Sequence, residues 1–156
     1  MPIDEEENKR ELFGEMANKW QDDTNLPMII WIDEGRLYQR GRHAKRIKFQ
    51  LNTSDNVDRR KMGEMDLFGN VLEPTGKKVG GLRQYQVHQL QNFVNNNHYA
   101  LEKISDTEIR ISDIWDYIIM GGEKAEQSQI DVLNATVDDI IATKKATKKN
   151  AKGKGK

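Results

Sequence analysis

The longest uninterrupted apolar run in this chain is five residues, MIIWI at 28–32. That is far short of the roughly 20 residues a membrane-crossing helix needs. Any core must therefore be assembled from short apolar segments separated by polar chain. Three isoleucine side chains and a tryptophan pack well on a pleated surface, so 28–32 is expected to be a buried strand. A turn at 33–35 and a returning strand at 36–39 should follow. Residues 46–51 alternate cleanly, with Ile47, Phe49 and Leu51 on one side and Arg46, Lys48 and Gln50 on the other. Such a strand covers a core with one face only. Residues 52–63 read as a surface loop, and 74–81 as another. Gly69 and Asn70 form a two-residue hairpin signal between apolar segments at 65–68 and 71–73.

Helical spacing governs most of the remainder. Leu12, Phe13, Met16 and Trp20 make one stripe over 4–20, and Asp4 can cap that helix. Leu82, Tyr85, Leu90, Phe93 and Val94 make another over 82–95, which Asn95, Asn96 and Asn97 should fray or end because asparagine competes with helical backbone bonding. A helical turn over 99–104 carries Leu101 and Ile104. The alternating residues 108–111 (EIRI) predict a short edge strand. Ser112 is placed to cap a helix over 113–120, which Gly121 and Gly122 would stop. Ile130, Leu133, Val137 and Ile140 then recur at spacings of three, four and three over 123–143, a narrow apolar seam.

Taken together, these segments predict an α+β fold. A small, mostly antiparallel sheet over about 28–73 is packed against helices 4–20, 82–95 and 113–120. The expected organisation is a globular domain over 1–122, an amphipathic helix over 123–143 and a disordered basic tail over 144–156. Gly121 and Gly122 are read as a hinge before that helix.

The charge of the 156-residue chain is formally zero, but it is sorted along the sequence. Residues 143–156 hold seven lysines and no acid, which leaves the preceding 142 residues at a net −7. Residues 36–61 carry a net +7, and residues 112–142 a net −6. Sorting of this kind speaks to partners rather than to fold. The tail is expected to screen part of the acidic 112–142 section of its own chain. Only 36% of residues are hydrophobic and mean hydropathy is −0.84, which fits a small core under a heavily solvated shell.

Cysteine is absent, which removes disulfides, thiolate metal sites and cysteine nucleophiles. The N-terminal MPIDEEENKRE lacks the positive start and apolar stretch of a signal peptide, so a cytoplasmic location is expected, with no membrane contact. The Lys/Asn/Ile-rich composition points to an AT-rich bacterial or phage genome. His43, His88 and His98 form no metal-binding spacing, and no cofactor or metal is expected. The TGKKVGG loop before the helix at 82 lacks the spacing of a phosphate-binding motif.

The leading functional expectation is a non-enzymatic protein that contacts DNA or RNA by sequence-independent electrostatics. Its expected contacts are Arg36, Arg40, Arg42, Lys45, Arg46 and Lys48 in the basic middle, and Lys144, Lys145, Lys148 and Lys149 in the tail. An alternative is a structural or assembly subunit, docking on a protein partner or a second copy through Ile130, Leu133, Val137 and Ile140. A third is a metal-independent nuclease using His43 beside Arg42, Lys45 and Arg46.

Overall fold

The computed structural model describes residues 16–33, 46–58, 60–72 and 81–154. Four strands, β1 (Met16–Lys19), β2 (Ile30–Asp33), β3 (Arg46–Gln50) and β4 (Met62–Asp66), form one antiparallel sheet in the order β1-β2-β3-β4. Its registers pair Ala17 with Ile32, Trp31 with Lys48, and Lys48 with Glu64. The helices are α1 (Gln21–Thr24), α2 (Gln84–Asn96), α3 (His98–Ser105), α4 (Ile111–Ile114, continued by a 3-10 turn at Trp115–Tyr117) and α5 (Gln127–Lys154). The fold is α+β, with a small antiparallel sheet covered by helices and a long helix at the C-terminal end.

The alternation in β3 does what period two demands. Ile47 and Phe49 face inward with Ile30, Ile32 and Met65, and all are almost completely buried. Onto this face pack Leu90, Phe93 and Val94 of α2, Leu101 and Ile104 of α3, Ile114 of α4, and Leu133 and Val137 of α5. Thus one core is shared by the sheet and by helices on both sides of residue 122. On the opposite sheet face, Ile29 and Trp31 form a second small cluster with Val57 and Met62.

Several local expectations are corrected. Residues 16–19, assigned to a helix by the spacing of Met16 and Trp20, form the edge strand β1 instead. The backbone of β2 offers a row of hydrogen-bonding partners, and tertiary pairing overrides weak local propensity. Residues 4–15 and the strand expected at 36–39 lie outside the described residues. Tyr85 is exposed rather than buried, and Val87 takes its place on the α2 core face. The EIRI segment is not a strand. Ile109 and Ile111 are both buried, yet between them the chain turns into α4, where the Asp113 carboxylate accepts a bond from the Arg110 N–H at 2.8 Å. That carboxylate occupies the capping role expected of Ser112, which is exposed.

The Asn96 and Asn97 pair closes α2, which ends at Asn96 as expected, and it also anchors the chain that leads to α5. Asn97, fully buried, donates from Nδ2 to the carbonyls of Phe93 and Ile119 and accepts at Oδ1 from the Ile119 N–H, each at 2.8–2.9 Å. Asn96 donates to the Glu123 carbonyl at 2.7 Å and accepts from the Ala125 N–H at 3.0 Å. Asn92 donates to the Gly122 carbonyl at 2.9 Å, and the Gly121 N–H donates to the Thr24 carbonyl at 2.6 Å. The two glycines expected to act as a hinge are therefore held between α1 and α2. A primary amide has both donors and acceptors, which is why asparagine can satisfy a neighbouring backbone so completely.

The turn after β4 is organised by Asp66. Its carboxylate accepts from the N–H groups of Phe68 and Asn70 and from the Asn70 side chain, at 2.8–3.0 Å. Gly69 supplies the positive φ of +89° that the turn requires, and Met65 bridges to Val71, so the chain reverses here as expected but over residues 66–70 rather than across Gly69 and Asn70 alone. Burial disfavours the charged form of Asp66, but the Asn70, Phe68 and Gly69 donors outweigh it and hold the carboxyl below its ordinary value. A depressed carboxyl stabilises the fold fully above its unfolded value, and this contribution is lost as pH falls through the folded one. Asp66→Asn should therefore cost about 1 kcal/mol near neutrality and flatten the decline in stability below about pH 4. Chemical denaturation across that range checks this, and an unchanged acid limb would contradict it.

Candidate nucleic-acid interface

The basic face of β3 is placed against the protein's own acid. Lys48 and Glu64 are direct cross-strand neighbours. The Arg46 guanidinium Nε lies 3.2 Å from the Glu64 carboxylate, and the Lys48 ammonium lies 3.9 Å from the same oxygen. Their side chains are only 7% and 15% exposed, so neither cation stands in open solvent. Gln50, the third residue of that face, is fully buried. It donates to the Asn52 side chain and the Asn56 carbonyl and accepts from the Asp58 N–H, which wraps the loop after β3 around it. Opposite charges directly across a strand pair attract, and the alternation of β3 alone could not reveal that β4 brings Glu64 there. Arg36, Arg40, Arg42, Lys45 and His43 lie outside the described residues.

The lysine-rich end of the chain presents the opposite case. The α5 backbone continues without a break past residue 143, the end expected from the seam, to Lys154. Alanine and lysine are good helix formers, and cations are favoured near a helix C-terminus. Lys144 fastens this part of the helix to α4, its ammonium 2.9 Å from the Asp113 carboxylate. Burial opposes the charge on Asp113, but the Arg110 N–H, the Lys144 ammonium and the Arg110 charge together lower its pKa. This one contact realises the expected screening of the acidic section by the tail. Lys145 and Lys148 are exposed, and of Lys149 only the helical backbone is described.

Lys144, Lys145 and Lys148 lie at i, i+1 and i+4, a spacing that brings helical residues to one side. They line a groove of about 590 Å³ between α5 and the loop 107–110. Arg110 lines the same groove, over a base formed by Ile109 and Ile141. One acid, Glu108, also lines it and is engaged by the Lys103 ammonium at 3.0 Å. That carboxylate is the main reason the Lys103 pKa is raised. Among the described residues, Arg110, Lys145 and Lys148 have no carboxylate within 4 Å. A second cleft beside Tyr117 and Val132 has no charged lining residue, and a third, beside Trp20, is lined by Asp22 and Asp55. The cationic groove is thus the place among these where an anion would be attracted.

Sequence reasoning missed Arg110 because the EIRI alternation placed it on a strand. The signal that could have found it was the lysine spacing at 144, 145 and 148, once helix is allowed to continue. The apolar seam faces inward: Leu133 and Val137 are buried in the shared core, with Ile140 packed against it. Ile130 is half-buried. Tyr99 on α3 donates its hydroxyl to Asp138 beside this seam. Among the described residues no three histidine, aspartate or glutamate side chains converge as a metal site, and no helix is long and apolar enough to cross a membrane. His98 lies between the Leu67 carbonyl and the Glu102 carboxylate, and His88 is exposed beside Gln91. Compared with protein-family models, curated proteins and solved structures, the chain has no significant match.

Proposed function

We propose that this is a non-enzymatic cytoplasmic protein that contacts nucleic acid through electrostatics, with the lysine-rich end of α5 as its principal surface. The observation that carries the reading is the groove in which Lys144, Lys145 and Lys148 share a lining with Arg110. Clustered cations on a helical face release counterions from a phosphate backbone, and that release gives affinity without sequence preference. The basic residues Arg36, Arg40, Arg42 and Lys45 extend the same charge in sequence, with Lys149 continuing the lysine row. Arg46 and Lys48 contribute less, because Glu64 already faces them. Their role becomes one of setting the sheet's register.

Retention on nucleic acid across a salt series tests this. The intact protein should bind at low ionic strength and release steeply as salt rises. Lys145→Gln combined with Lys148→Gln should reduce the slope of log affinity against log salt by about 0.7–0.9 for each lysine that contacts a phosphate. Arg46→Gln should leave that slope nearly unchanged. Absence of salt-sensitive binding by the intact protein would refute the proposal, and a slope that follows Arg46 rather than the two lysines would relocate the surface.

A further inference from the structure

We infer that the groove between α5 and residues 107–110 receives an unpaired base, so that single-stranded nucleic acid is preferred over duplex. This inference rests on the nucleic-acid reading above and concerns the same surface. Two properties of the groove go beyond charge. First, it is a shallow, open concavity, and its volume of about 590 Å³ leaves room for one base laid along its wall. A flat or convex row of lysines would serve a duplex equally well. Second, its floor is apolar, offered to a ligand by the half-buried Ile141 since Ile109 is only 3% exposed, whereas the cations are exposed around it.

Nucleic acid offers both kinds of surface only when a strand is unpaired. In a duplex the base faces are stacked on one another and only their edges reach the grooves, so the phosphates meet the rim and nothing reaches the floor. A single strand can splay a base out of its stack and place the flat face on apolar side chains while its phosphates stay with the cations. The hydroxyls of Thr107 and Thr143 also line the groove, and each donates to a backbone carbonyl, of Asp106 and Asp139 respectively. Their oxygens remain acceptors, which suits the amino groups on base edges. Glu108 on the same lining is held by Lys103, which limits its repulsion of phosphate.

The test compares a single-stranded oligonucleotide with a duplex of the same length and sequence, by fluorescence anisotropy with the full chain at one fixed salt concentration. The single strand should bind severalfold more tightly, less than for a base stacked on an aromatic ring because the floor is aliphatic. Ile141→Gln removes the apolar floor and leaves every charge in place, and should bring single-strand affinity down to that for duplex while the latter stays constant. Because Ile141 is half-buried, a thermal melt accompanies the measurement. Thr147→Leu, at an exposed position on the same lining, occludes the groove and gives a second route to that result. Equal binding of the two ligands by the intact protein would overturn this inference and leave the proposed function standing. Survival of the single-strand preference in folded Ile141→Gln and in Thr147→Leu would overturn the groove as its source. No salt-sensitive binding of either ligand would overturn both.

Discussion

Val137→Asp is expected to lower the stability of this protein by at least about 4 kcal/mol, a large share of what a domain of this size possesses. Val137 is fully buried in the cluster that joins the sheet to α2, α3 and α5. A carboxylate there would lose its hydration and find no cation among the apolar side chains that surround it. The position is also informative about the role of α5. Were the seam of Leu133 and Val137 a docking face for another chain, a charge would release the partner and leave the monomer folded. Packed as it is, the same charge should unfold the monomer. Urea denaturation followed by far-UV circular dichroism reads the difference, with Val132→Asp as the control. Val132 is 67% exposed, and its replacement should change stability by no more than about 0.5 kcal/mol. A Val137→Asp protein with an unshifted midpoint would mean that α5 does not pack on this core.

Gly122→Ala should cost about 3 kcal/mol, more than an alanine usually costs anywhere on a surface. A Cβ at this position would lie 2.3 Å from the Cβ and 2.8 Å from the Cα of Gln89. One of those atoms is α2 backbone, so rotation of a side chain cannot relieve the clash. Any retreat of the loop also strains the bonds that Asn92, Asn96 and Asn97 make to residues 119–125. The adjacent Gly121→Ala provides the comparison. Nothing lies within 4 Å of its added Cβ, but its φ is +88°, so only backbone strain of about 1–2 kcal/mol is expected. Equal midpoints for the two variants, by thermal or urea unfolding, would contradict the close approach of the loop to α2.

Both predictions depend on facts that one-dimensional patterns carry unevenly. The inward set of Ile47 and Phe49 was legible because side chains alternate with a period of two whatever the strand pairs with. The same holds for Leu101 with Ile104, and for Leu133 with Val137, where helical spacing defines a face before any partner is known. Met16 to Lys19 was misread because an edge strand draws its hydrogen bonds from a neighbour, β2, that lies eleven or more residues away. The second role of the asparagine run, beyond ending α2, was missed for a related reason. The amides of Asn96 and Asn97 are satisfied by backbone more than twenty residues along the chain, and local propensity records only what they would do without it.

The candidate site divides along the same line. By itself, the sequence determined the α+β class, the inward faces of the strand and helices, and the concentration of lysine at one end. Those properties follow from side-chain period and composition, which are local. Only the tertiary structure decided which cations are available to a ligand. Arg46 and Lys48 meet Glu64 because β4 lies beside β3, whereas Lys145 and Lys148 line a groove with Arg110 because α5 continues past residue 143 alongside the loop 107–110. A charge's identity is local, but its freedom to bind depends on what the fold brings within a few ångströms of it.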